Sequence, residues 1–465
     1  MGPAVLRFYG NACVVTVRVV MLSHVSADTM VEWRVGHRAR LALSPAQVSV
    51  LEGQAHAART VWNTLHAWWT MCAENRRVSL TDADAAIRQA RKDIDWLAVL
   101  PAQAAQAVLK TYVQAWRNCW EGRAGEPTFK SRLRSPMSVD VPQGGHLNTT
   151  RVHRRWGMVN IPKVGRVRFR WTRDLPVGKR ADANNRITGA RLVKDALGWH
   201  VCFRVRTLEE GPEPHPGPEV GIDAGIAVPL ALSDGTVHDH GKPRTDESGG
   251  TDRDKWLTAG EKTRLACLER RAAHRKSLRP HGEETSRRLG RTYDRIRALR
   301  AKATRRHRDW QQKTTTHIAT RYGTVVVEDL DITRMTRSAK GTIEEPGTGV
   351  AQKAGLNRAI GQEAWGRTMA LLAYKPAWRG GALYRVPAAG TSRRCSECGI
   401  TTPGSRESQA VFVCRHPSCG WVGNADYNAA RNVLHLYRIG HIVEVPAAGR
   451  AVVRRARRVK PTTAR

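Results

Sequence analysis

No stretch of this 465-residue sequence is both long and apolar enough to cross a bilayer. The most apolar early segment, Ala4 to Leu22, is short and is broken by Arg7, Asn11 and Arg18, which argues against a membrane anchor and against a secretory leader. Acidic residues are scarce: 41 Asp and Glu face 77 Lys and Arg, a net charge of +36. A lone protein rarely carries such self-repulsion without a polyanionic partner. The basic residues are spread along the whole chain and do not line one amphipathic helix, so nucleic acid is favoured over a membrane surface. There is no internal repeat and no P-loop, which argues against a solenoid and against a motor or helicase. Cysteine is sparse outside one cluster: four of the nine lie between 395 and 419 and five are scattered singly, unlike the disulfide framework of a small secreted domain. A reducing, cytoplasmic setting is expected.

What is present reads as an α/β multidomain chain. Residues 1–36 differ in texture from the rest and read as an N-terminal extension, with Met21 and Met30 as alternative starts. Residues 44–72 place Val48, Leu51, Trp62, Leu65 and Trp69 at helical intervals behind Ser44 as N-cap, and 101–120 put Leu109, Val113, Trp116 and Trp120 on a second stripe. These aromatic stripes are expected to be core rather than base-stacking platforms. A basic connector follows to 143, and then alternating runs such as 165–171 and 199–205 predict a small β unit over 144–206. Pro212, Pro214, Pro216 and Pro218 recur at every second position in 207–219, which neither a helix nor a central strand accepts, so this is a linker. A helical pair is expected over 261–310 with a break near Gly282, a mobile Gly-, Ser- and Thr-rich stretch over 337–362, and a basic tail over 441–465. On the helical pair Arg287, Arg288, Arg291, Arg295, Arg305, Arg306 and Arg308 lack interleaved acids between 295 and 308, which favours a phosphate-binding face over a merely solvated one.

Three acidic motifs and one cysteine motif carry chemistry. In VGIDAGIAVPLALSDG, Asp223 ends a strand among apolar neighbours, where an ionised carboxylate needs a partner such as a divalent cation; capping of nearby backbone is the plainer alternative. In TVVVEDLDITRM a β-branched strand delivers Glu328 and Asp329 at its end, a weak signal alone. In NADYNAARNVL, Asn424 caps a helix whose first turn holds Asp426, with Ala429, Ala430 and Leu434 facing inward. Three separated acids on strand, strand and helix suit a site holding two Mg²⁺ ions about 3.5–4 Å apart, Mg²⁺ being favoured by hard oxygen ligands. Cys395, Cys398, Cys414 and Cys419 have the spacing of one structural Zn²⁺ site, a redox pair being the less favoured reading. His416 lies inside the second pair but is not needed to fill a tetrahedron. His238 and His240 frame an Asp and read as a polar loop.

The order GIDAG, VVVEDLDITRM, TSRRCSECG, CRHPSCG, NADYNAARN resembles the TnpB family, insertion-sequence-encoded nucleases related to compact type V CRISPR effectors, over about residues 37–434. The resemblance implies a ribonuclease H-like (RuvC) nuclease over 220–390 and 424–440, interrupted by a zinc ribbon at 391–423, behind a helical recognition domain at 37–143 and a β wedge domain at 144–206. It implies Asp223, Glu328 and Asp426 as catalytic Mg²⁺ ligands and zinc on the four clustered cysteines. It further implies a guide RNA from the transposon end, recognition of a short motif beside double-stranded target DNA, and cleavage of both strands by one site. The chain departs from the family at Ala388, Ala389 and Gly390 ahead of Thr391, where an aromatic residue is expected; no metal ligand is touched. Two other readings stay open: a transposase using the same site for strand transfer, and an RNA-guided DNA-binding regulator that does not cut.

Overall fold

The computed structural model of the chain describes residues 5–8, 15–20, 30–72, 79–132, 135–240, 256–278, 285–342 and 344–443. These fall into two α/β units, one within Met1–Glu210 and one within Gly211–Val445. The first begins with β1 (Val5–Phe8), β2 (Val15–Val20) and β3 (Met30–Ala42). Helices α1 (Pro45–Met71), α2 (Leu80–Asp93), α3 (Asp95–Ala98) and α4 (Ala102–Trp120) follow. The strands then resume with β4 (Ser138–Val141), β5 (Thr150–His153), β6 (Trp156–Ile161), β7 (Gly165–Arg170), β8 (Asn185–Asp195) and β9 (Gly198–Glu210).

The sheet runs β4-β8-β9-β3-β7-β6-β5, with β1 and β2 extending from β3. Strand β3 pairs with β9 continuously from Met30↔Glu210 to Arg40↔His200, so the change of sequence texture at residue 36 falls inside one strand. Helix α1 starts where the sequence places it: Ser44 accepts a hydrogen bond from the Gln47 amide while the Gln47 side chain reaches back to the Ser44 amide. The α1 and α4 stripes meet edge to face at Trp62 and Tyr112, with ring centroids 5.2 Å apart, both residues buried. The outer end of the stripe differs from the expectation of core: Trp69, Trp116 and Trp120 stack in series, and Trp120 is 56% exposed.

In the second unit, β10 (Glu219–Asp223), β11 (Leu230–Leu232) and β12 (Val237–His238) precede α5 (Ala259–Ser277) and α6 (Arg287–Arg321). Then come β13 (Thr324–Glu328), α7 (Ile332–Met335), α8 (Val350–Glu363), α9 (Trp365–Tyr374), β14 (Ala382–Val386), the hairpin β15 (Val411–Val413) with β16 (Val422–Asn424), and α10 (Ala425–Arg438). The main sheet has the order β12-β11-β10-β13-β14, with β10, β13 and β14 parallel. Such a parallel core must be covered on both faces. Val220, Ile222, Val325 and Val327 pack against Ile318 and Tyr322 at the end of α6 and Leu372 of α9, whereas Val326 and Val386 pack against Val433 of α10.

Several boundaries differ from the sequence expectation. Helix α6 continues past 310 to Arg321 because Thr314, Thr315, Ile318 and Ala319 bury a further face. The stretch 337–362 is not loop throughout, since α8 starts at Val350 after Gly349 in the left-handed region and buries Ile360 and Glu363. The pair His238 and His240 is not a polar loop: Val237–His238 is an edge strand, and the His240 side chain is only 4% exposed. The break at Gly282 and the tail beyond 443 lie outside the described residues, as do parts of 1–36. No helix among the described residues is long and apolar enough to cross a membrane.

Candidate metal centres and basic face

The parallel register explains why two distant acids become neighbours. Ile222 of β10 stands beside Val327 of β13, so Asp223 and Glu328 are the next residues at the same ends of adjacent strands. Strand alternation separates Glu328 from its neighbour Asp329: Glu328 turns inward and is buried, while Asp329 is partly exposed and binds Arg385 at 3.1 Å. The third acid arrives on α10. A Cβ on Gly221 would stand 2.3 Å from the Ala430 carbonyl oxygen and 2.8 Å from the Leu434 amide, so only glycine lets α10 lie this close to β10. Asn424 caps that helix by accepting from the amides of Asp426 and Tyr427, and Asp426 is buried in its first turn.

The Asp223 carboxyl feels the other two. Burial pushes the Asp223 carboxyl up to about 8, and the negative charges of Glu328 and Asp426 push in the same direction against the opposing Arg406. Burial also raises Glu328, opposed by a hydrogen bond from the Thr391 hydroxyl at 2.5 Å. Arg406 reaches Asp426 at 3.6 Å and is itself held by the carbonyls of Ser408 and Gln409. Converging carboxyls in a poorly solvated place are costly as anions, and hard divalent cations remove that cost. The all-oxygen donor set suits Mg²⁺ chemically, but the three carboxylates do not offer oxygens that all lie within 4.8 Å of one another, unlike the cysteines.

Thr391 and Arg406 are the residues that sequence reasoning missed. Thr391 stands in the TSRRC motif, but nothing in its spacing points at an acid 63 positions earlier. Its loop is fixed from α10: the Asn432 amide donates to the carbonyls of Thr391 and Arg394, and the Asn428 amide donates to Arg394 while its oxygen accepts from the Ser396 amide.

The same loop leads into the cysteine cluster. The Sγ atoms of Cys395, Cys398, Cys414 and Cys419 all lie within 4.8 Å of one another, with Cys395 to Cys419 at 3.9 Å and Cys398 to Cys414 at 3.7 Å. Thiolates about 2.3 Å from a tetrahedral zinc are about 3.8 Å apart, whereas disulfide sulfurs are about 2.05 Å apart. All four are free thiols, so the geometry fits a metal and excludes a formed disulfide. Phe412 and Ala425, both fully buried, pack beneath them and join the cluster to the start of α10.

The arginines of the helical pair divide into two groups. Arg287, Arg288, Arg291 and Arg295 are exposed on the first turns of α6, and Arg305 and Arg308 are half-buried. Arg306 is held by Glu261 of α5 and by the Trp256 carbonyl, and Arg300 by Glu269. The acids absent from α6 between 295 and 308 are supplied in part across the helix pair, by partners that spacing along one helix does not reveal.

Residues 365–433, which carry the cysteine cluster and most of α10, match the Cas12f1-like TNB domain. The chain is 30% identical over 353 residues to the Escherichia coli (strain K12) protein named as RNA-guided DNA endonuclease InsQ, covering 76% of this chain and 77% of that one. It is 27% identical over 375 residues to a Streptomyces pristinaespiralis protein named as an RNA-guided DNA endonuclease, covering 79% of each. Among solved structures, one of a Cas12f1-sgRNA-target DNA complex matches with a TM-score of 0.43 and 13% identity over 83% of this chain and 80% of that one. These relatives define a nuclease, and the chain is an enzyme of that class. It belongs to the TnpB family.

Proposed function

We propose that this chain is an RNA-guided, Mg²⁺-dependent DNA endonuclease associated with a transposable element, cutting double-stranded target DNA beside a short motif. The observation that carries the reading is the convergence of Asp223, Glu328 and Asp426 from two parallel strands and a helix. The chemistry supplied by a bound Mg²⁺ pair is stabilisation of charge on the attacking and departing oxygens of the phosphodiester. The protein's part is to hold its ligands. Asp223 provides a carboxylate that feels the other two, Glu328 is oriented by Thr391, and Asp426 is positioned by the Asn424 cap and neighboured by Arg406.

In this reading residues 37–143 and 144–206 form the recognition and wedge domains, 220–390 and 424–440 the RuvC-like nuclease, and 391–423 a ribbon whose cysteines hold one structural Zn²⁺. Base pairing by a guide RNA from the transposon end reads the target, and the positive surface, including Arg287, Arg288, Arg291 and Arg295, holds the phosphate backbone. Arg305, Arg306 and Arg308 belong to the same proposed face, although Arg306 is already engaged by Glu261.

The test is to purify the protein from cells carrying its native locus, sequence the bound RNA, and incubate the complex with matching DNA and Mg²⁺. Guided cleavage of both strands is expected, and Asp223→Ala abolishes it while RNA stays bound. Absence of co-purifying RNA defeats the guided reading, and unimpaired cutting by Asp223→Ala defeats the site.

A further inference from the structure

A third group of ligand-type side chains lies in the nuclease unit, composed differently from the acidic cluster and the cysteines. His240 follows the edge strand β12, His307 stands midway along α6, and Glu363 is the last residue of α8. Their ligand atoms all lie within 4.8 Å of one another. The side chains of His240 and Glu363 are 4% and 3% exposed, and His307 is buried as well.

The distances suit a shared ion. His240 Nε2 is 3.4 Å from Glu363 Oε2, long for a hydrogen bond. Two ligands each about 2.05 Å from a tetrahedral zinc are about 3.3 Å apart. Among the described residues the buried His240 Nε2 has no hydrogen-bond partner. Its other ring nitrogen lies 3.8 Å from Asp239 Oδ1, the side from which metal-bound imidazoles are commonly oriented by a carboxylate. Trp256 and Trp310 wall the group, their rings 4.7 and 4.6 Å from that of His240, and Trp256 stacks on His307 at 4.9 Å.

We propose that His240, His307 and Glu363 bind a second transition-metal ion of the Zn²⁺ class. Two imidazoles and one carboxylate favour Zn²⁺ over Mg²⁺, which prefers oxygen ligands and retains its waters. Water completes the coordination. Enclosure by the two tryptophans assigns the ion a holding role: it pins the exit of β12 to α6 and α8, joining three elements that are distant in sequence.

The full-length protein, purified with any bound RNA and supplied with ZnCl₂ before gel filtration, is assayed for zinc by mass spectrometry. Two equivalents per chain are expected. Glu363→Gln, close in shape, and His240→Ala each retain one, and a mercurial thiol reagent releases only one of the two from the unaltered protein. With Co²⁺ in place of zinc, the mercurial-treated protein keeps weak visible bands but loses thiolate charge-transfer absorption. A single equivalent in the unaltered protein, all of it released by the mercurial, overturns the proposal, as does an undiminished count in folded Glu363→Gln. The count is independent of DNA cleavage, so failure here leaves the nuclease reading standing.

Discussion

The Thr391 hydroxyl donates a 2.5 Å hydrogen bond to Glu328, linking the loop that enters the cysteine cluster to an acid at the end of a core strand. Both side chains are buried, so water cannot replace the bond if it is lost. Hydrogen bonds to charged groups contribute about 1.5–3 kcal/mol. Thr391→Val is therefore expected to slow single-turnover cleavage by about tenfold to a hundredfold, with Thr391→Ser restoring most of the rate and RNA binding unchanged in both. Equal impairment by Val and Ser would show that packing, not the hydroxyl, matters there.

Gly221→Ala tests the approach of α10 to the sheet. The added methyl meets backbone atoms of Ala430 and Leu434, which cannot swing aside as a flexible side chain would. Overpacking of this kind costs about 1–3 kcal/mol. Thermal denaturation is expected to show that loss, and cleavage should fall further because Asp426 rides on the displaced helix. A variant as stable and active as the parent would mean that the close contact is dispensable.

The raised Asp223 carboxyl sets a pH dependence. An unfolded Asp titrates near 3.9, whereas burial and the two neighbouring acids hold the folded group at about 8. Between those values the folded protein keeps a proton that the unfolded chain has lost, so this group's contribution to stability declines as pH rises from about 4 to 8 and is level beyond. Melting in Mg²⁺-free buffer should show that decline relative to Asp223→Asn. Added Mg²⁺ should raise the melting temperature most near pH 8, where the least proton displacement is required. Parallel curves for parent and variant would refute the linkage.

Cys395→Ser removes a fully buried thiol from the four-sulfur cluster. Loss of one zinc equivalent and a lower melting temperature are expected. Because Asn428 and Asn432 tie the adjoining loop to α10, cleavage should fall as well, although no cysteine belongs to the acidic cluster. Retention of full zinc by the folded variant would contradict four-thiolate ligation.

Much of this arrangement was legible from local signals. Ser44 with Gln47 marks a helix start, Asn424 marks another, and the run Val325, Val326, Val327 can only be a covered strand ending in Glu328. Local signals failed where a residue's environment is set by a remote partner. The helix α2 was not foreseen, since Ala83 and Ile87 alone supply its buried positions. His240 looked polar in sequence and is buried because α6 and α8 close over it. Arg306 looked unpaired along its own helix and binds Glu261 on another. Thr391 and Arg406 carry no signature in spacing, since each acts on an acid brought near by topology.

The assembly order of the acidic centre has a consequence for biosynthesis. Asp223 and Glu328 stand on strands made before α10, while Asp426 belongs to the final helix among the described residues. Under the proposed function, a nascent chain lacks the third acid until a ribosome has released that helix to dock on Gly221. On that reading, an incomplete copy is expected to be unable to cut DNA.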